Sequence, residues 1–294
     1  MADEIASRLQ QTLVTIVEGF SDYFINSLEN SHNQTPEFVK VTSIKVEKKL
    51  GTTGIRLVKV GLESNFGYDE RAIAVKIFSQ KNSALDVIKK INVLENRLSV
   101  YKHEGFSTPG VIFFSGPIVV FEGLNGDVFR ESKIPRPQKY KLAGKALSAF
   151  HGTGEGQVWF EKYFLLINRA IERLPIDEEN KSKLQKVMSN SLKVTEKACQ
   201  RSASLTFGDF HPGNVIFDIR IGQKPLIWTH LIDPEFLDHE VQHDRLEDIC
   251  NFFAVELVDN YRKDANLTKL KMNIRSFISG YNEILAMKNK RLAD

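Results

Sequence analysis

Apolar and polar positions alternate through much of the first 122 residues, which is the period expected of half-buried β-strands. Stretches 41–50 and 55–62 alternate on either side of a four-residue turn at 51–54, so they are predicted to form a β-hairpin. Stretch 71–78 is predicted as the next strand, and 111–121 as a second hairpin around a Ser-Gly-Pro turn. The pattern therefore predicts an antiparallel sheet in the first part of the chain.

Helical spacing interrupts this β pattern once and then dominates the rest of the chain. Apolar residues recur every three or four positions from Leu85 to Tyr101, and residues 83–86 have the sequence of a capping box. A helix is therefore predicted from Ser83 to about Lys102. The other predicted helices are an amphipathic one spanning Ile5 to Leu28 and those at 137–153, 161–174, 177–199, 243–261 and 267–288.

The composition of the 294-residue chain narrows the class of protein. Lys plus Arg total 40 and Asp plus Glu 37, and a net charge of +3 is too balanced to indicate a nucleic-acid partner. Two cysteines, Cys199 and Cys250, provide no disulfide framework, and no apolar run is long enough to cross a bilayer. The start Met-Ala-Asp-Glu lacks the basic residues of an export signal. We expect a cytoplasmic monomer or homodimer without nucleic-acid or membrane partners.

Two short segments in the second half carry the candidate chemistry. Asp209 and Asn214 lie five positions apart, the spacing of the Asp and Asn in the catalytic loop of protein kinases. Asp233 follows an apolar stretch, at the place of the second metal-binding Asp of those enzymes. Because Mg²⁺ prefers oxygen ligands and keeps several waters, one carboxylate and one amide suffice as protein ligands. Asp209 is then the candidate base for an attacking hydroxyl, although each residue taken alone also suits an ordinary turn.

A kinase-like fold also requires an upstream lysine and glutamate in that order. Lys76 lies in Ala-Val-Lys on the predicted strand 71–78, and alternation places Ala72, Ala74, Lys76 and Phe78 on one face. Glu95 lies at the edge of the apolar stripe of the following helix, where an inward-facing carboxylate would pair with Lys76. The alternatives without a function are that Lys76 is an ordinary lysine of an edge strand and that Glu95 is an ordinary solvated glutamate on a helix surface.

The segment Gly-Asp-Phe-His-Pro-Gly-Asn at 208–214, followed by Ile-Asp-Pro-Glu at 232–235, resembles the catalytic and metal loops of the aminoglycoside phosphotransferase and choline kinase superfamily. The resemblance implies an α+β, two-lobed, protein-kinase-like fold with a small antiparallel-sheet N-lobe (1–122) and a larger, mainly helical C-lobe (123–294). It implies that Asp209 is the catalytic base, that Asn214 and Asp233 bind Mg²⁺, and that the Asp matching Asp248 is structural.

The same resemblance implies how a nucleotide is held. Lys76 and Glu95 would handle the phosphates, and Glu122 and Leu124 would contact adenine through their backbone groups at the hinge. Thr52 and Thr53 in the first hairpin turn would lie over the phosphates, although this turn by itself is also an ordinary hairpin turn. The cofactors expected are ATP, with GTP as the alternative, and Mg²⁺.

These expectations combine into an ATP-dependent phosphotransferase that moves the γ-phosphoryl group to a hydroxyl of a small molecule. A sugar, amino sugar, amino alcohol or aminoglycoside-like acceptor stays open. Glu235 and Asp238 belong to an acidic group near the metal loop that would suit a cationic acceptor, and solvated surface acids are the equal alternative.

Two other enzyme classes remain in competition. A protein Ser/Thr kinase is the nearest, although the chain lacks His-Arg-Asp and shows no Ala-Pro-Glu segment after Asp233. A metal-dependent hydrolase is less favoured and would use His211, His230, His239 and His243 with Asp209, Asp233, Asp238 and Asp244. Such a site would leave the Asp-x-x-x-x-Asn spacing and the upstream lysine unexplained.

Overall fold

A computed structural model gives the fold, and it describes residues 21–50, 55–78, 81–151, 172, 177–183, 185–186, 203–220, 226–237, 243–263 and 267–291. The chain divides into two compact units. The first comprises Met1–Glu95 with Thr108–Asp127, and the second comprises Asn96–Ser107 with Val128–Asp294. The predicted boundary between residues 122 and 123 stays a prediction.

The helices and strands follow the hydrophobic pattern closely in the described ranges. Short 3₁₀ turns occupy Lys102–Glu104 and Pro212–Asn214. In chain order the numbered elements are α1 (Ser21–His32), β1 (Val39–Leu50), β2 (Ile55–Ser64), β3 (Gly67–Ile77), α2 (Lys81–Ser99), β4 (Phe106–Ser107), β5 (Val111–Ser115), β6 (Ile118–Glu122), β7 (Asp127–Val128), α3 (Arg136–His151), β8 (Ala203–Ser204), β9 (Val215–Arg220), β10 (Leu226–Leu231), β11 (His243–Asp244), α4 (Leu246–Lys263) and α5 (Leu267–Arg291).

The first unit contains a sheet whose described strands run in the order β1-β2-β3-β6-β5, with every neighbour antiparallel. Because side chains alternate along a strand, the two faces of this sheet bury different residues. Phe24 and Leu28 of α1 pack on one face, in a cluster that includes Val58, Val60, Ile73 and Val75. Ala84, Val87 and Ile91 of α2 pack with Val119 and Phe121 on the other face. One helix therefore contributes to the apolar cluster on each face.

The second unit is built around aromatic side chains. The ring centroid of Phe252 in α4 lies 5.1–5.4 Å from those of Phe129, Phe210 and Phe277. All four rings are at most 1% exposed, and burying one such ring contributes about 1.5–3 kcal/mol. Beside this core, four strands form a sheet in the order β4-β10-β9-β7. Phe210 belongs to the segment of candidate chemistry, so the core itself fixes that segment.

The predicted α+β class is confirmed, with an antiparallel sheet in the N-terminal part and a helical C-terminal part. Within the described residues, no helix combines the length and the apolar character that crossing a membrane requires. The predicted helices at 161–174 and 177–199, and the first part of the amphipathic stripe, lie mostly outside the described residues.

Two predicted helix starts are wrong. The capping box at Ser83 is not a helix start, because α2 already begins at Lys81. The helix predicted from His243 begins at Leu246, because His243 and Asp244 pair with Ser204 and Ala203 as short antiparallel strands. A period of 3.6 residues locates a helix, but it does not reveal such a long-range backbone pairing.

Candidate active site

A β-hairpin of the second unit brings two candidate metal ligands to the same end. Val215, the first residue of β9, is paired with Leu231, the last residue of β10. The backbone N–H of Ile232 donates to the Asn214 carbonyl at 3.0 Å. Asn214 and Asp233 therefore lie immediately beyond the paired ends of the two strands. The hairpin supplies the proximity that the sequence spacing predicted.

Asn214 also ties this hairpin to Asp209. Its Nδ2 donates to the Asp209 backbone carbonyl at 3.0 Å, and its own N–H donates to the His211 carbonyl at 2.9 Å. The side chain is 6% exposed. Because Nδ2 is occupied, Oδ1 is the atom of this amide that suits a cation.

Asp233 adopts a left-handed backbone conformation, with φ of 60°. This conformation is uncommon for residues other than glycine, although Asp and Asn tolerate it better than most. Strained backbone of this kind is concentrated at functional sites, where the surrounding structure maintains it. Asp233 is half-buried, and its conformation turns the chain sharply at the end of β10.

Asp209 presents its carboxylate outward from a buried framework. Its side chain is 48% exposed, whereas Phe207 and Phe210 on either side are fully buried. The Nε2 atom of His211 lies 3.6 Å from Asp209 Oδ2. The segment is thus anchored by its aromatic residues, and the carboxylate remains accessible to a substrate.

Asp248 of α4 fixes the two peptide groups that precede Asp209. Its carboxylate accepts the N–H of Phe207 at 2.7 Å and the N–H of Gly208 at 2.9 Å. It is fully buried and lies 2.9 Å from Nε2 of His151, whose Nδ1 is 2.7 Å from the Tyr281 hydroxyl. The structural role implied for Asp248 is confirmed by these contacts.

Gly208 allows the segment after Asp233 to approach the segment before Asp209. It has φ of +81°, and a Cβ at this position would collide with the Phe236 carbonyl. Its own carbonyl accepts a hydrogen bond from Asn251 Nδ2 at 3.3 Å. Only glycine satisfies both the backbone conformation and the close approach. The two motif segments are therefore in direct contact.

The first unit contains the candidate nucleotide-binding residues. Lys76 is 3% exposed, and its Nζ lies 5.3 Å from the centroid of the Phe78 ring. Ala74 and Phe78 pack against the cluster that includes α2, so the predicted common face of Ala74, Lys76 and Phe78 agrees with the structure.

The expectation that Glu95 faces inward is not met. The residue is exposed, and within the described ranges no hydrogen bond or ion pair joins it to Lys76. Leu94 and Leu98 are at most 1% exposed, so the buried face of α2 continues past Ile91 and Glu95 does not belong to it. Glu95 therefore lies on the solvated side of the edge of the apolar stripe. Its contribution to nucleotide binding stays a prediction.

The predicted hinge follows β6. The Glu122 N–H donates to the Gly110 carbonyl at 2.9 Å, and the Gly123 N–H donates to the Ala72 carbonyl at 3.1 Å. The backbone of Leu124 has no hydrogen bond to any described residue, so both its N–H and its carbonyl are available. Thr52, Thr53 and Asp238 lie outside the described residues, and Glu235 is half-buried.

The candidate hydrolase site does not form among the described residues. Within these ranges, no three His, Cys, Asp or Glu side chains are grouped so that they could hold a metal ion, and His239 lies outside them. His230 is 2% exposed and lies with its Nδ1 2.7 Å from Ser107 Oγ. Its Nε2 is 4.0 Å from Asp218 Oδ2. His230 is therefore a buried strand residue that faces Ser107 and Asp218.

Burial of His230 predicts acid sensitivity of the fold. Desolvation lowers its pKa from 6.5 to about 4, opposed by the Asp218 charge and reinforced by Arg220. Because the unfolded chain binds this proton more readily, stability present above pH 6.5 is lost as the pH falls toward 4. We expect about 2 kcal/mol of unfolding free energy to be lost between pH 7 and pH 5 from this group.

Urea denaturation of the wild type and His230→Asn at both pH values tests this expectation. The variant should show a smaller loss between pH 7 and pH 5, whereas the exposed His103→Asn should behave as the wild type does. An equal loss in the wild type and His230→Asn would contradict the prediction.

Comparison with known proteins assigns the chain to a family. Residues 75–251, more than half of the chain, match the model of the phosphotransferase enzyme family. The chain belongs to this family. No curated protein matches it.

Several solved structures resemble the chain at low identity. An ethanolamine kinase from Plasmodium vivax is 18% identical over 82% of this chain and 68% of that chain, with a TM-score of 0.47. An aminoglycoside phosphotransferase from Streptomyces rimosus, solved with ADP and streptomycin, is 14% identical over 79% of this chain and 86% of that chain, with a TM-score of 0.44. A choline kinase from Streptococcus pneumoniae is 15% identical over 90% of this chain and 91% of that chain, with a TM-score of 0.39.

The family match confirms the predicted class of enzyme, a small-molecule kinase or phosphotransferase. The matched range contains Lys76, Asp209, Asn214, Asp233 and Asp248. Sequence reasoning missed His151 and Tyr281, which support Asp248 from α3 and α5. A histidine at the end of a predicted helix gives no signal of its own, because its partner is 97 positions away in the chain.

Proposed function

We propose that this enzyme transfers the γ-phosphoryl group of ATP, or alternatively GTP, to a hydroxyl group of a small molecule in a Mg²⁺-dependent reaction. The observation that carries the proposal is the arrangement around Asn214. The side-chain Nδ2 of Asn214 donates to the Asp209 backbone carbonyl, and the backbone carbonyl of Asn214 accepts the N–H of Ile232, the residue before Asp233. One carboxylate for the substrate and two oxygen ligands for a cation thus come from a single hydrogen-bonded unit.

Asp209 is proposed as the catalytic base. The acceptor hydroxyl oxygen forms a bond to the γ-phosphorus, the bond from that phosphorus to the β,γ-bridging oxygen breaks, and ADP leaves. Asp209 accepts the hydroxyl proton. Its half-exposed carboxylate on a buried framework supports this role, because general-base catalysis needs an accessible group in a fixed position.

Asn214 Oδ1 and the Asp233 carboxylate would hold Mg²⁺. The donor set fits this ion, because both are hard oxygen ligands and Mg²⁺ retains several waters. When bound, Mg²⁺ would neutralise charge on the phosphate oxygens. The left-handed backbone at Asp233 supports the assignment, since such strain is typical of functional positions.

Lys76 is proposed to bind the nucleotide phosphates, because it lies in the range that matches the family and its ammonium group can donate charge-assisted hydrogen bonds to phosphate oxygens. The proposed assignments of Glu95, Thr52 and Thr53 to the nucleotide, and of Glu122 and Leu124 backbone groups to adenine, rest on the family resemblance. The open backbone groups of Leu124 within the described residues support the last of these.

The acceptor is proposed to be a sugar, an amino sugar, an amino alcohol or an aminoglycoside. Glu235 and Asp238 would favour a cationic member of this group. The ethanolamine kinase, choline kinase and streptomycin-bound phosphotransferase among the similar structures act on or bind molecules of these kinds. A cytoplasmic location and a monomer or homodimer are proposed on the sequence arguments alone.

A product screen tests the proposed function. Purified protein is incubated with ATP and Mg²⁺ and a library of small hydroxyl compounds, and mass spectrometry searches for acceptors that have gained one HPO₃ unit. We expect such a product together with ADP, its loss with EDTA, and its recovery with excess Mg²⁺. A parallel reaction with GTP decides the donor. Activity that only zinc restores, or ATP-independent hydrolysis of a library compound, would contradict the proposal.

A further inference from the structure

We propose that His211 is a positioning residue for Asp209: its imidazole is held in one tautomer, with the Nε2 proton directed at the Asp209 carboxylate. The inference rests on the proposed function, in which Asp209 is the base. It assigns to His211 the orientation of that carboxylate, which leaves the second oxygen, Oδ1, for the acceptor hydroxyl.

The tautomer follows from a hydrogen bond on the other side of the ring. His211 is the N-cap residue of the turn Pro212–Asn214, with φ of −145° and ψ of 166°. Its Nδ1 accepts the N–H of Gly213 at 2.9 Å. Because this nitrogen uses its lone pair as an acceptor, the neutral ring carries its proton on Nε2.

The Nε2 atom faces Asp209 at 3.6 Å from Oδ2. This distance is longer than a hydrogen bond. Catalytic hydrogen bonds in ligand-free enzymes are often long and tighten in the complex with substrate. Both side chains reach the surface, with 29% of His211 and 48% of Asp209 exposed. The ring therefore stands at the edge of the site, where it can restrain the carboxylate without covering it.

Gly213 leaves room for the ring in this place. A Cβ at position 213 would lie 2.7 Å from Cε1 and 2.9 Å from Nδ1 of His211. Contacts this short would force the imidazole to move. The glycine therefore permits the observed position of the neighbouring ring, and its own N–H donates to Nδ1 of that ring.

His103 provides a matched comparison in the same unit. Its Nε2 also lies 3.6 Å from a carboxylate oxygen, that of Glu104, in another short 3₁₀ turn. Its side chain is 58% exposed, and within the described ranges no hydrogen bond holds its ring. The two histidines differ in the hydrogen bond to Nδ1, which His211 accepts from Gly213. The proposal attributes the fixed tautomer of His211 to this bond.

The substitution His211→Asn separates capping from positioning. Asparagine is a good N-cap residue, so its Oδ1 can accept the Gly213 N–H, but it is too short to direct an N–H group at Asp209. We expect slow amide exchange at Gly213, measured by NMR, in the wild type and His211→Asn, and fast exchange in His211→Ala. Turnover of MgATP to ADP is measured with water as the acceptor and repeated with the acceptor found in the screen.

The kcat of His211→Asn should fall about tenfold with the KM for MgATP nearly unchanged, because a positioning residue contributes only part of the rate acceleration that the base contributes. The double variant with Asp209→Asn should be no slower than Asp209→Asn alone. His103→Asn should leave kcat unchanged.

Three results would overturn the inference: a wild-type kcat in His211→Asn, fast exchange at Gly213 in the wild type, or additive losses in the double variant. Absence of MgATP turnover in the wild type with water and with every acceptor of the screen would instead count against the proposed function. The exchange rate at Gly213 would still decide whether its N–H is bound to the His211 ring.

Discussion

Replacement of Asp209 by asparagine is expected to lower kcat by about 10²- to 10⁴-fold, the usual contribution of a general base. Asparagine has nearly the same shape, so the change removes the proton acceptor and little else. The KM for MgATP should stay within about twofold, because the lost interaction belongs to the transition state of the acceptor hydroxyl. The assay is steady-state formation of the phosphorylated product found in the screen.

The matched control for this variant is Asp86→Asn. Asp86 is a similarly exposed carboxylate, at 46%, that pairs with Lys90 at 2.7 Å on helix α2. Pairs four residues apart on a helix contribute about 0.2–0.5 kcal/mol, so turnover and thermal stability should both remain near the wild-type values. Full activity of Asp209→Asn, with the fold verified by circular dichroism, would refute the role given to this carboxylate.

The spacing of Asp209 and Asn214 and the apolar stretch before Asp233 predicted that these residues share one site, and the roles assigned to them stay predictions. Two β-rich stretches that can pair as neighbours bring the residues at the end of one strand close to those at the start of the other. In the structure, the pairing of Val215 with Leu231 brings Asn214 and Asp233 to the same end of the β9–β10 hairpin. Strand alternation likewise predicted that Lys76 shares a face with Ala74 and Phe78, since a period of two is set by backbone geometry alone.

Features that depend on long-range contacts were not predictable. The pairing of β8 with β11 shortened a predicted helix, and Glu95 is exposed although Leu94 and Leu98 of the same helix are buried. The role of the fully buried His151 could not be predicted for the same reason, because it comes from contacts with Asp248 and Tyr281, which belong to other helices. Hydrophobic periodicity reports which face of an element is covered, but it does not report what covers it.

The buried carboxylate of Asp248 leads to the largest expected effect on stability. Replacement of Asp248 by asparagine should lower the unfolding free energy by about 3–5 kcal/mol. The wild-type carboxylate accepts from the N–H groups of Phe207 and Gly208 and contacts His151 Nε2 at 2.9 Å. An amide presents one acceptor oxygen and one NH₂ donor, so at least one of these buried donors would face another donor.

Activity should fall together with stability. The two N–H groups immediately precede Asp209, and a displacement of about 1 Å in a catalytic group can cost about 10²-fold in rate. We therefore expect a lower kcat even under conditions where Asp248→Asn is folded. Urea denaturation gives the stability, and turnover per folded molecule gives the second effect.

Glu283→Gln separates the effect of burial from that of hydrogen bonding itself. The Glu283 carboxylate forms salt bridges with Lys145, at 2.9 Å, and with Lys141. Like Asp248 it accepts from several donors, but its side chain is 36% exposed. Water can replace these partners, and the expected loss is at most about 1 kcal/mol. Equal losses for Asp248→Asn and Glu283→Gln would contradict the view that the dry interior makes Asp248 the anchor of the loop that carries Asp209.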